Sequence, residues 1–225
     1  MAYLCLVRGG VTPPHMRPLK AIGQIAAVTV AIFIKVFPLS GILFGLLVIF
    51  FLTSFDGFND FGTWFNSPKS PRNCVAMALL ASLASMFISY CLLRLFRASP
   101  FGGPDYSRFS VVRSNGKLLL IWLLFIWTIV AFGEEIIGRG FILTRLLVVF
   151  ERTFNPPFLA IAVSAMIFGS VHFYQGVAGV VDNTCTGIIF GTLYLNQRRN
   201  LWSNFFSHGF IDSIVVLIFY FGIRI

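Results

Sequence analysis

Ile129-Val-Ala-Phe-Gly-Glu-Glu-Ile-Ile-Gly-Arg139 decides how this chain is read, because two adjacent carboxylates stand inside otherwise lipid-grade sequence. An ionisable side chain near the bilayer centre costs about 3 kcal/mol even on the lenient insertion scale, so a segment that carries two of them uses at least one. The nearby compensation is Arg139, four residues beyond Glu135 and therefore on the same helical face. One glutamate has an ion-pair partner within reach. The other is left for chemistry.

The rest of the chain supports the membrane reading. Of 225 residues, 57% are apolar and 11% charged, 27 are Phe, and the mean hydropathy is +0.86. Soluble domains carry about a quarter charged residues, so the expected class is an all-α, polytopic transmembrane bundle forming one integrated membrane domain. The formal charge of +9 does not indicate a nucleic-acid partner. Its 17 basic residues lie mostly between apolar runs, at Arg8, Arg17 and Lys20, at Arg94, Arg97, Arg108, Arg113 and Lys117, and at Arg198 and Arg199. That is the pattern of loops beside lipid headgroups. Cys5, Cys74, Cys91 and Cys185 are widely spaced and form no CxxC, which supports neither a disulfide framework nor a zinc knuckle. The apolar stretch Met1 to Val7 is too short for a cleavable signal.

A helical span needs about 20 mostly apolar residues. Ala21 to Thr53 exceeds one span and contains Lys35 and Pro38, so it reads as one tilted helix or a hairpin of two. Cys74 to Leu93 is a span without charge. Leu118 to Phe150 again exceeds one span, and a break near Gly133 or at Gly138/Gly140 would divide it. Phe158 to Phe173, Val177 to Leu195 and Leu201 to Gly222 complete about seven segments, with six to eight allowed. Residues 1–117 then hold the N-terminal segments and loops, and 118–222 the core that carries the polar residues. If the first run crosses once, the basic N-terminus and the loop around Arg94 to Lys117 share a side; with the break near Gly133, Arg198 and Arg199 join them. The positive-inside rule then puts the N-terminus in the cytoplasm.

Few residues in the apolar segments can do chemistry. Asp56, Asp60, Asp105 and Glu151 fall in loops or at helix ends. Glu134, Glu135, Arg139, His172, His208 and Asp212 fall inside membrane-grade segments, and Asp182 lies near a segment terminus, where a solvated or capping role is expected. His172 follows Phe168 by four residues, and Asp212 follows His208 by four, so each pair shares a helical face. Lipid penalises each polar group separately, which favours one shared interior cavity. A carboxylate with two imidazoles can activate water and stabilise an oxyanion. Taken singly, either His is as well explained by interhelical hydrogen bonding, Glu135 with Arg139 by a structural ion pair, and Trp202 by anchoring at the interface.

The combination matches a family pattern. Glu134-Glu135-Ile-Ile-Gly-Arg139 reads EExxxR, Phe168-Gly-Ser-Val-His172 reads FxxxH, and His208-Gly-Phe-Ile-Asp212 reads HxxxD. In this order, over roughly Leu118 to Phe219, the chain resembles the CAAX-protease and bacteriocin-processing (Abi) family of intramembrane glutamic endopeptidases. The resemblance implies that Glu134 is the base that activates water and His172 its partner. It implies that His208 and Asp212 stabilise the tetrahedral oxyanion, and that Glu135 and Arg139 support the site. Two positions depart from the pattern: Gly138 stands where a bulky aromatic is common, and Asp212 where Asn is frequent. An ionised Asp accepts but cannot donate a hydrogen bond, so Asp212 either orients His208 or donates in its protonated form.

The resulting expectation is a peptide hydrolase acting on a membrane-associated protein or peptide, with the lipid bilayer as its surroundings and no nucleic-acid partner. A bacterial plasma membrane is the expected location. No cofactor or metal is implied; zinc held by one Glu and two His is the alternative. A non-catalytic immunity or scaffold protein, and a transporter using the same groups as a proton relay, are the non-enzyme alternatives.

Overall fold

The computed structural model describes residues 18–33, 62–68 and 70–223, and these are helix and loop, with no strand among them. The helices are α1 (Pro18–Phe33), α2 (Pro71–Arg97), α3 (Gly116–Val149), α4 (Pro156–Ser170), α5 (Gly176–Asn196) and α6 (Trp202–Tyr220). Local chemistry marks their starts. Ser70 accepts the Asn73 amide ahead of Pro71, and Asn155 accepts the Phe158 amide ahead of Pro156. Asn115 Oδ1 accepts the Leu118 amide at 3.1 Å to open α3. These are N-cap residues followed, in two cases, by a proline whose missing N–H costs nothing there.

Helices α2, α3, α5 with the preceding turn from Phe173, and α6 are long and apolar enough to cross a membrane, while α4 is shorter. Their outer faces are apolar: Leu83 is 66% and Phe87 68% exposed on α2, and Leu120 and Ile121 are both 59% exposed on α3. Such a continuous apolar exterior is a liability in water and the normal condition against acyl chains.

The expected break in the long apolar run does not occur. Helix α3 continues for 34 residues through Gly133, Gly138 and Gly140, roughly 50 Å at 1.5 Å per residue. A core of about 30 Å therefore holds it only if it tilts or extends past the hydrocarbon. Instead of breaking, the helix widens into π turns at Ile126–Val130 and Ile136–Leu143. Side chains help satisfy the carbonyls of the second: Ser164 Oγ donates to Gly138 O at 3.2 Å, and Thr144 Oγ1 donates to Arg139 O at 3.3 Å. A π turn inserts an extra residue per turn and rotates everything beyond it, a device found often at functional sites.

With α3 unbroken, helices α2 to α6 run alternately up and down, and the Gly133 break loses the extra crossing it implied. At one end, Leu201 N–H donates to Trp64 O at 2.8 Å, Trp202 Nε1 to Phe65 O at 3.1 Å and Asn200 Nδ2 to Asn66 O at 2.7 Å. At the other end, Asp105 N–H donates to Gln175 O at 3.0 Å and Ser114 N–H to Tyr220 O at 3.2 Å. Arg198 and Arg199 therefore lie at the end opposite the loop of Arg94 to Lys117, not beside it, and basic residues flank both ends of the bundle. Whether Ala21 to Thr53 crosses once or twice falls on residues 34–61, outside the described residues. Trp202 is more than an anchor at the interface. Its ring packs edge-on to Phe65 and stacks on Phe206.

The interior is held in two ways. Helices α4 and α5 meet through small residues: a Cβ on Gly169 would collide with Thr184 and Val180 O, one on Gly187 with Ala165, and one on Gly191 would press on Ile161. Small residues four apart let membrane helices approach to backbone contact. Helix α2 is joined to α6 by hydroxyls: Ser82 and Ser207 both donate to Ala78 O, and Ser203 donates to Cys74 O.

Candidate active site

Glu134 and Glu135 follow the first π turn on α3, and their environments differ. Glu135 is fully buried and its Oε1 takes the Arg139 guanidinium at 2.9 Å, as the four-residue spacing predicts. The same oxygen lies 2.8 Å from His208 Nδ1 on α6. Arg139 is sandwiched further, its guanidinium 4.4 Å from the Phe168 ring centroid and 5.1 Å from that of Phe190. Buried, paired, and faced by aromatic π clouds, this Arg has its charge compensated from several sides.

Glu134 points the other way. It lines a cavity of about 570 Å³, and its side chain keeps 15% exposure. Its Oε2 is 3.8 Å from His208 Nε2, and Asp212 Oδ2 is 3.5 Å from the same nitrogen. His208 thus stands between the locked glutamate on one ring edge and two cavity-facing carboxylates on the other. Its ring is fixed edge-on against Phe168 and Phe190. Gly209 next to it allows this: a Cβ there would meet the Trp127 ring at 2.7 Å. Trp127 is itself tied to α6 by its Nε1 donating to Ser213 Oγ at 3.0 Å.

His172 lines the same cavity but does not sit within a helix as expected. Helix α4 ends at Ser170, and His172 occupies the turn beyond it, with Nδ1 2.8 Å from Phe168 O and its ring 4.8 Å from the Phe168 ring. The four-residue link to Phe168 survives as a ring contact. All six residues singled out from sequence therefore meet around one cavity or directly behind it. Among the described residues, no three His, Cys, Asp or Glu side chains are grouped to hold a metal ion.

Asp182 departs from expectation. It is not solvated at a helix end but 6% exposed within α5, accepting from Ser89 Oγ at 2.6 Å and from Tyr106 OH at 3.2 Å. Through Tyr106 it fastens the loop between α2 and α3 to α5 beside the cavity. Burial, with the Asp182 carboxylate beside it, pushes the Tyr106 hydroxyl well above the ordinary phenol range, so it remains a donor. Arg108 from the same loop lies 3.6 Å over the Tyr174 ring. Tyr106, Arg108, Tyr174 and Phe190 were not singled out from the sequence. For Tyr106 and Arg108 the available signal was the loop itself: a stretch of about 20 residues between two spans, rich in aromatics, is longer than a connection requires.

Residues 116–214 match the family model described as type II CAAX prenyl endopeptidase Rce1-like. The match covers all six residues above and bears out the resemblance to the CAAX proteases, a family of membrane peptidases. No curated protein and no solved structure matches the chain.

Proposed function

We propose that this protein is an intramembrane glutamic endopeptidase that cleaves a membrane-associated protein or peptide. The observation that carries the reading is the division between the adjacent glutamates: Glu135 is locked by Arg139 and His208, whereas Glu134 opens onto the cavity beside His208 and Asp212. Glu134 takes a proton from water as the water attacks the scissile carbonyl, and His172 across the cavity helps hold that water. His208, backed by Glu135, faces the place where negative charge develops on the carbonyl oxygen. A site shielded from bulk water strengthens each of these interactions. The apolar walls, including Met86, Leu93, Phe125 and Ile214, suit a substrate that arrives with an apolar chain. A prenylated CAAX peptide is the first candidate, because the matching family is named for it.

The test is cleavage of a membrane-tethered reporter, and of a prenylated CAAX peptide, by wild type and Glu134→Ala at matched expression. Processing lost in the variant and unaffected by a chelator is the expected result. Equal processing by both proteins would sink the proposal, and loss on chelation would favour zinc. A pH-coupled flux without cleavage would point to a transporter.

A further inference from the structure

The junction at His208 Nε2 sets two carboxylates, Asp212 and Glu134, against one ring nitrogen. His208 Nδ1 lies 2.8 Å from Glu135 Oε1, an acceptor already held by Arg139, so Nδ1 carries the hydrogen of that contact. A neutral ring would then turn the lone pair of Nε2 toward Asp212 Oδ2 at 3.5 Å and Glu134 Oε2 at 3.8 Å. A lone pair facing two carboxylates is repulsive. One proton therefore resides among Nε2, Asp212 and Glu134, and Asp212 is the member most open to the cavity, with 31% side-chain exposure against 15% for Glu134.

Resting on the hydrolase reading above, we propose that Asp212, sharing this proton with His208, is the general acid that protonates the leaving nitrogen. The step balances. Glu134 removes a proton from water while the C–O bond forms. The C–N bond then breaks as the proton held by Asp212 and His208 passes to nitrogen. Proton transfer from Glu134 to the junction restores the resting state, and the products are a carboxylic acid and an amine. An Asn at 212 can donate a hydrogen bond to an oxyanion but cannot transfer this proton, so Asp at this position changes the division of labour in the site.

Other groups reach the junction and shape its pH response. Glu135 with Arg139 faces it from α3, and Asp182 lies on α5. His172 and Tyr174 face it from the turn after α4, and Tyr106 and Arg108 from the loop before α3. Asp212 shares a helix with His208, one turn away, and brings its Oδ2 to 3.5 Å from Nε2.

The discriminating experiment compares a prenylated CAAX peptide with its analogue in which the scissile amide is an ester, because an alkoxide leaves with far less need of a proton. Asp212→Asn should lower kcat on the amide by about a hundredfold or more, with KM little changed and the alkaline limb of the pH profile removed. The same variant should retain most of its rate on the ester. The amide-to-ester ratio is taken within one protein, so partial misfolding does not mimic the result. An equal loss on both substrates overturns the acid role, as does an unchanged amide rate and pH profile, and either leaves the hydrolase reading standing. Failure of the wild type to cleave either substrate overturns that reading and this assignment together.

Discussion

The seam between α4 and α5 and the chamber between α2, α3 and α6 are built on opposite principles. At the seam, Gly169, Gly187 and Gly191 remove side chains so that backbones touch, and what remains is small and largely apolar. Around the chamber, large side chains such as Trp122, Phe125, Met86 and Ile214 line the space left between the helices, together with Glu134, His208 and Asp212. The seam fixes Phe168 and Phe190, one from each of its helices, and these rings hold His208 and Arg139 in place. A rigid contact is thus used to position a hollow one. Membrane helices lack a strong hydrophobic drive toward each other, so close packing at one interface has to supply the rigidity that an open interface gives up.

The contrast can be broken from either side, and the chamber gives the largest effect. Glu134→Gln should reduce turnover by roughly a thousandfold while leaving thermal unfolding in detergent unchanged; a comparable loss of stability would show that Glu134 is structural after all. Glu135→Gln should do the reverse. It leaves Arg139 buried with a weaker partner, at a cost of about 3 kcal/mol, read as a lowered unfolding temperature with only secondary loss of activity. Next comes the seam. Gly187→Leu forces a branched side chain onto the Ala165 backbone, and overpacking of this kind costs about 1–3 kcal/mol; chemical unfolding in mixed micelles would measure it, and an unchanged midpoint would show that α4 and α5 separate freely. The smallest effect belongs to the loop that Tyr106 ties to Asp182. Tyr106→Phe removes one donor from Asp182, about 1 kcal/mol, and should appear as faster trypsin cleavage at Arg108 without a global change in unfolding.

Much of the candidate site was legible because it is built from residue types that lipid does not tolerate without reason. Glu135 and Arg139 were paired by spacing alone, and the pair forms. His172 was associated with Phe168 by the same rule, and the rings touch even though the helix stops before the His. Asp182 was misjudged because a carboxylate near a segment end normally reaches solvent; its partners Ser89 and Tyr106 are 93 and 76 residues away in the chain. Arg198 and Arg199 lie opposite the loop of Arg94 to Lys117 because α3 does not break, and glycines that allow a break do not require one.

From sequence alone followed the all-α membrane class, the small set of polar residues available for chemistry, and the asymmetry of the glutamate pair. Each depends on what a residue costs in hydrocarbon or on contacts within one helical turn, which are local properties. Only the tertiary structure decided the rest: the continuity and π winding of α3, the ends at which loops meet, the burial of Asp182, and the convergence of Glu134 and Asp212 on one nitrogen of His208. A single π turn shifts every later residue around the helix axis, and that shift is stabilised by hydroxyls on other turns and other helices, such as Thr144 and Ser164. Register of this kind is set by partners far apart in the chain, so it emerges only when the helices pack.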